Sequence, residues 1–144
     1  MLVVSHGGTT AVPIEMAMGA RRRGLPVIVF TSLAAAAAAE PTHSSGTRLL
    51  DHADVVLDLC TPAADGLVAV AGLDTPVAPG SSVAGVALAN ELKARTARLL
   101  ADRGQLPPVL ASAAVVGRER SAALFEEAYA EHARRLAKVL QQGS

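Results

Sequence analysis

One cysteine, two phenylalanines, one tyrosine and no tryptophan stand among 144 residues. A lone thiol, Cys60, excludes an internal disulfide and any zinc site built from several cysteines. Aromatic residues at 2% exclude a stacking platform for single-stranded nucleic acid. Charge of one sign is also lacking. With 13 Lys+Arg against 13 Asp+Glu, no long-range field draws in a nucleic acid or an anionic membrane. Apolar runs are short, well below the roughly 20 residues that cross a bilayer. No basic leader with a small-residue cleavage site follows Met1, so the expectation is a cytoplasmic protein. What is abundant is small and apolar: hydrophobic residues make up 51%, which excludes disorder and fits one globular domain at this length.

Three apolar runs bounded by turn residues read as strands: Met1–Ser5, Pro26–Thr31 and Ala53–Leu59, the last centred on Val55–Leu57. The first two are continuous and Val/Ile-rich, the pattern of strands buried on both faces of a parallel sheet. Between them the spacing predicts a helix from about Pro13 to Arg23, with Glu15 in its first turn, Ile14, Ala17 and Met18 on one face, and Gly24 as its stop. That is a βαβ unit. The alanine run Ala34–Ala39 starts a helix or forms an ordered loop, and a short helix is expected around Thr47–His52. Further along lie an edge strand at Leu67–Ala71 and a long helix capped by Ser81 or Ser82 that runs to about Arg103. Its one face carries Leu88, Leu92, Thr96 and Leu99. Pro107-Pro108 forces an extended linker into Val109–Ser112. A last helix, about Arg120 to Leu140, aligns Phe125, Tyr129, His132, Leu136 and Val139, and Gln141–Ser144 reads as a frayed tail.

The most informative segment is Ser5-His6-Gly7-Gly8-Thr9-Thr10. It leaves the carboxyl end of a strand and enters a helix, the position where open α/β sheets bind ligands. Glycines let backbone N–H groups approach an anion, the helix N-terminus adds partial positive charge, and hydroxyls complete the donor ring. A phosphate suits such a ring. The same residues serve equally as a tight turn with Thr10 capping the helix, and spacing alone leaves both readings open.

This loop resembles the Ser-x-Ser-Gly-x-Thr/Asn loop of SIS (sugar isomerase) domains, which grips the phosphate of phosphosugars. The likeness continues through Val12–Ala17, Gly24–Ile28, Thr31–Leu33, His43–Leu49, Ala53–Asp58, Ser81–Gly85 and Pro107–Val109. It is similar above all to uncharacterised single-SIS-domain phosphosugar-binding proteins of bacteria. The resemblance implies an α/β three-layer sandwich with a mainly parallel, flavodoxin-like sheet, N-terminally shortened. The 144 residues would form one SIS-like domain, the C-terminal portion of a typical one, with 105–144 as the Pro-Pro linker and C-terminal helix. It also implies phosphate contacts from Ser5, Gly8 and Thr10, with His6, Gly7 and Thr9 completing the loop. Ser44, Ser45, Arg48, Ser81 and Ser82 join the sugar-phosphate set. Gly7 stands where relatives carry a second Ser, and Ala114 and Val116 where they often carry Asn and Asp. With the front strand outside the chain, a homodimer or higher homo-oligomer is expected to cover the sheet, through the Ser82–Arg103 or the C-terminal helix.

Other residues have plainer readings. His43 opens the polar run His43-Ser44-Ser45-Gly46-Thr47-Arg48 and is either a sugar contact and acid/base group or a solvated loop residue. Glu15 mainly serves the helix dipole, but paired with His43 it would shuttle protons between C1 and C2 of a sugar. Arg48 reaches a phosphate or pairs with Asp51. Asp54 and Asp58 cap loops, Asp65 lies near the cleft mouth, and Cys60 reads as an inert small hydrophobe. His52 and His132 read as surface and helix residues, and no metal-ligand set or cofactor motif accompanies them. Function narrows to a phosphosugar-binding protein, with sugar-phosphate (aldose–ketose) isomerisation as its enzymatic form. The alternative is an inactive structural or partner subunit with a decayed site. No helix-turn-helix or basic recognition helix points to DNA.

Overall fold

The computed structural model describes residues 1–106 and 108–142. Pro107 of the expected linker and Gly143 and Ser144 of the expected tail lie outside the described residues. The chain divides into two compact units, Met1–Lys93 and the residues from Ala94 onward.

In the first unit, strands β1 (Leu2–Val4), β2 (Ile28–Thr31) and β3 (Val55–Asp58) form a parallel sheet in the order β1-β2-β3. Val3 lies opposite Val29, and Val29 opposite Val56. Helix α1 (Ala11–Arg22) makes the first crossover and a short α2 (Leu33–Ala38) begins the second. Helix α1 forms because its only proline, Pro13, sits in the first turn, where no intrahelical N–H is required. It stops at Gly24 (φ +69), where Gly24 N–H donates to Arg21 O at 2.9 Å and Leu25 N–H to Ala20 O at 3.0 Å. This left-handed glycine motif satisfies two carbonyls that the helix end would otherwise leave open. Ile14, Ala17 and Ala20 on its inner face meet Val3, Val27, Val29 and Leu49 in the core. Enclosing Ile14 completely contributes about 1.5–3 kcal/mol. Glu15 lies beyond the first turn of α1, which starts two residues earlier than Pro13, so it does not serve the dipole as expected.

Strand β2 is buried as its Val/Ile pattern predicts, with Val29, Phe30 and Thr31 fully enclosed. Strand β1 is not: Val3 is buried, but Leu2 and Val4 are 43% and 53% exposed. It is the outer strand, and α1 covers only its Val3 face. On the other face a side chain at Gly85 would come within 3.8 Å of Val4 Cγ1, and glycine leaves that space open. A single 3-10 turn, Leu49–His52, precedes β3. Beyond it β4 (Gly66–Val68) pairs antiparallel with β5 (Val77–Pro79), a partner the sequence pattern does not announce. Helix α3 (Gly80–Asp102) follows directly.

The second unit holds the end of α3, the short α4 (Ala113–Val116) and α5 (Arg118–Gln142). Gly104 (φ +67) ends α3 as expected, with Gln105 N–H on Leu100 O at 2.8 Å. Leu124 and Ser121 are the buried positions of α5, while Phe125, Tyr129, Leu136 and Val139 of the expected stripe are exposed.

Candidate functional site

The loop Ser5–Thr10 leaves β1 and enters α1 at the carboxyl end of the sheet. The carbonyls of His6, Gly8 and Thr9 face the protein. Thr31 Oγ1 donates to His6 O at 2.8 Å, Ser32 N–H to the same oxygen at 2.9 Å, Leu49 N–H to Gly8 O at 2.8 Å and Thr42 Oγ1 to Thr9 O at 3.2 Å. With the carbonyls held inward, the N–H groups of His6, Gly7, Gly8, Thr9 and Thr10 donate to no described residue. The hydroxyls of Ser5, Thr9 and Thr10 likewise have no partner among the described residues, and Thr10 makes no side-chain cap on α1. Thr10 therefore holds the N-cap position of α1 with its hydroxyl left unused. Gly8 takes φ +67 with Leu49 Cβ 3.4 Å from where its own Cβ would lie, so this position requires glycine. Gly7 has open space around it.

Two loops flank this turn. From one side, the segment before the 3-10 turn brings His43 Nε2 within 3.7 Å of Glu15 Oε1; the His43 side chain is 8% exposed and that of Glu15 68%. Ser45 N–H points at His43 Nδ1 at 3.2 Å, and Ser45 Oγ lies 2.7 Å from the same nitrogen. A backbone N–H can only donate, so in the neutral ring Nδ1 is the acceptor and Nε2 carries the hydrogen toward Glu15. From the other side, His6 Nε2 donates to Pro62 O at 3.1 Å and stands 3.6 Å from Asp65 Oδ1.

Asp65, at φ +64, caps α3 from outside that helix. Its carboxylate accepts from Ser81 N–H at 2.8 Å and Ser81 Oγ at 2.7 Å, and its carbonyl accepts from Gly80 N–H at 2.9 Å. Partial burial works to raise the Asp65 pKa, but the Ser81 hydrogen bonds outweigh it and leave the group below its ordinary 3.8. Asp54 is lowered by Val27 N–H and by Arg21, whose Nη1 lies 2.8 Å away. Asp58 is lowered by the N–H groups of Cys60 and Leu33. Both tie loops to the sheet, as expected.

A family model described as "SIS domain" matches residues 1–32, the stretch holding β1, the open loop, α1 and β2. A UPF0309 protein of Streptomyces coelicolor is 41% identical over 131 residues, 91% of this chain and 52% of the relative. One from Caldanaerobacter subterraneus is 33% identical over 138 residues, 94% of this chain and 56% of the relative. The chain thus matches the SIS-domain family over that stretch and is similar to these UPF0309 proteins over most of its length. It spans about half the length of these curated relatives. The Ser5–Thr10 loop lies within the matched stretch, and the mixed α/β fold with a parallel sheet is consistent with a SIS-like fold.

The remaining residues of the expected SIS ligand set sort by what they touch. Ser44 and Ser82 are exposed, whereas Ser45 and Ser81 are engaged with His43 and Asp65. The Arg48 guanidinium donates to Ala36 O at 2.7 Å, and Asp51 is met by the Arg48 backbone N–H at 2.7 Å, so the expected Arg48–Asp51 side-chain pair is replaced. Ser81 is a first-turn residue rather than the cap, because a carboxylate sixteen positions earlier fills that place. Cys60 is exposed at φ +53. His52 is not a plain surface residue: its Nε2 meets Thr47 Oγ1 at 2.8 Å. Thr42, Thr47 and the buried Thr61, whose Oγ1 has no partner among the described residues, were not legible as site neighbours. Nothing local marks a threonine whose role depends on another loop. Ala114 and Val116 lie in α4, in the second unit. Among the described residues no group of His, Cys, Asp or Glu is arranged to hold a metal, and no helix is long and apolar enough to cross a membrane.

Proposed function

We propose that the chain binds a phosphosugar, with its phosphate in the Ser5–Thr10 loop. The observation that carries this reading is the set of donors from His6 to Thr10, joined by three hydroxyls, that no described residue engages, at the N-terminus of a twelve-residue helix. Aligned amides and the helix dipole stabilise a dianion there, and the flanking His43 and Ser44 would meet the sugar. A thermal-shift panel of hexose, heptose, pentose and amino-sugar phosphates tests it. At least one should raise the unfolding midpoint, by about 2.7 kcal/mol of stability at a hundredfold excess over Kd. Ser5→Ala and Thr10→Val should each weaken that ligand roughly ten- to a hundredfold. A flat response to every sugar phosphate at millimolar concentration overturns the reading and favours a structural subunit.

A second reading, aldose–ketose isomerisation, is favoured by the Glu15–His43 approach beside the same loop. Glu15 would take the C2 proton as base and return it to C1, while His43 Nε2–H would donate to the carbonyl oxygen of the sugar. NMR would then record conversion of an aldose phosphate to its ketose, lost in Glu15→Gln. Binding without conversion leaves the protein a phosphosugar-binding module. Self-association is part of the same proposal, supported by the exposed Phe125, Tyr129, Leu136 and Val139 of α5.

A further inference from the structure

His43 does not end at Glu15. Ser45 Oγ, 2.7 Å from His43 Nδ1, also lies 2.6 Å from Thr47 Oγ1, and Thr47 Oγ1 lies 2.8 Å from His52 Nε2. Backbone donors orient this chain. Ser45 N–H requires Nδ1 to accept, so the one hydrogen of Ser45 Oγ goes to Nδ1, and that oxygen accepts from Thr47 N–H at 3.3 Å and from Thr47 Oγ1. Ser45 Oγ–H then points at His43, Thr47 Oγ1–H at Ser45, and His52 Nε2–H at Thr47. Every hydrogen faces the same way, from His52 toward Glu15.

We propose that His52 is a positioning residue for His43, joined to it by a two-hydroxyl hydrogen-bonded wire that sets its tautomer and conducts a proton toward Glu15. From a doubly protonated His52, Nε2–H passes to Thr47 Oγ1, Thr47 Oγ1–H to Ser45 Oγ, Ser45 Oγ–H to His43 Nδ1, and His43 Nε2–H to the Glu15 carboxylate. The balance is one imidazolium and one carboxylate becoming one neutral imidazole and one carboxylic acid. Each hydroxyl keeps one hydrogen, and His43 changes tautomer. The last step closes 3.7 Å, which rotation of the exposed Glu15 side chain supplies. Arg21 Nη1 reaches His52 O at 3.4 Å and Asp54 at 2.8 Å, and Asp51 precedes His52 in the turn. The catalytic use of the wire rests on the isomerase reading, whereas the wire itself does not.

Long-range 15N–1H NMR of the full chain, without ligand, reads both histidine tautomers across a pH titration. The expected wild-type result is a neutral His43 with hydrogen on Nε2 and a His43 curve carrying a second inflection at the His52 midpoint. Thr47→Val should remove that inflection and mix the His43 tautomers. Ser45→Ala, at an exposed position, should remove the inflection as well while the fold is retained by circular dichroism. Should both variants leave the His43 curve and tautomer as in wild type, the wire is overturned. Loss of coupling in a protein that binds no sugar phosphate would sink the functional reading and leave the wire standing.

Discussion

Gly7 and Gly8 are adjacent, and their physical situations are opposite. Gly8 holds a positive φ with Leu49 against it, so the backbone itself demands glycine there. Gly7 has an ordinary φ and free space, so its lack of a side chain is a matter of ligand chemistry rather than of strain. A Gly7→Ser change should therefore fold normally and add a hydroxyl to the open donor ring. Isothermal titration with whichever sugar phosphate binds should give an affinity roughly ten- to a hundredfold higher, the worth of one hydrogen bond to a charged group. An unchanged or weaker affinity would place the phosphate elsewhere. His43 teaches a related lesson at this scale: its neighbours in sequence suggest a solvated loop, yet its side chain is almost enclosed and both ring nitrogens face polar partners.

Among the elements, the helix stops were the most legible, because a left-handed glycine after the last turn is a local requirement: Gly24 and Gly104 both act where the pattern put them. Starts were less so. The α3 cap is Asp65, which sits on a different loop and reaches Ser81 only because the β4–β5 hairpin closes the path between them. That cap should make the element acid-sensitive. The Asp65 pKa is lowered on folding, so the stability it brings is complete above its ordinary 3.8 and is lost as pH falls through its folded-state value. Thermal midpoints recorded from neutral pH downward should fall less steeply below that point in Asp65→Asn than in wild type. The variant should also be less stable than wild type at neutral pH, where the lost cap is worth about 0.5–2 kcal/mol. Parallel slopes would assign the acid response to Asp54 and Asp58 instead. Strand β1 shows the converse limit of pattern reading: a continuous apolar run predicted two covered faces, and its place at the sheet edge leaves one of them largely open.

For the molecule as a whole, exposed apolar surface is the outstanding physical fact. Leu2, Val4 and Val55 on the sheet and Phe125, Tyr129 and Val139 on α5 are all open to solvent, and patches of this kind mark interaction sites. Light scattering at micromolar concentration should give a mass above the monomer, with Phe125→Glu and Tyr129→Glu lowering it; a monomeric wild type would end the self-association proposal. The βαβ order, the parallel sheet, the glycine stops and the donor-rich turn could all be read from the chain, because each is announced by the residue pattern of single elements and turns. The meetings of Glu15 with His43, of Asp65 with Ser81 and of Thr47 with His52 range from five to twenty-eight positions apart. Those came only from the tertiary structure. Side-chain partners across loops are set by strand order and by how each crossover packs on the sheet, and no local preference encodes that distance.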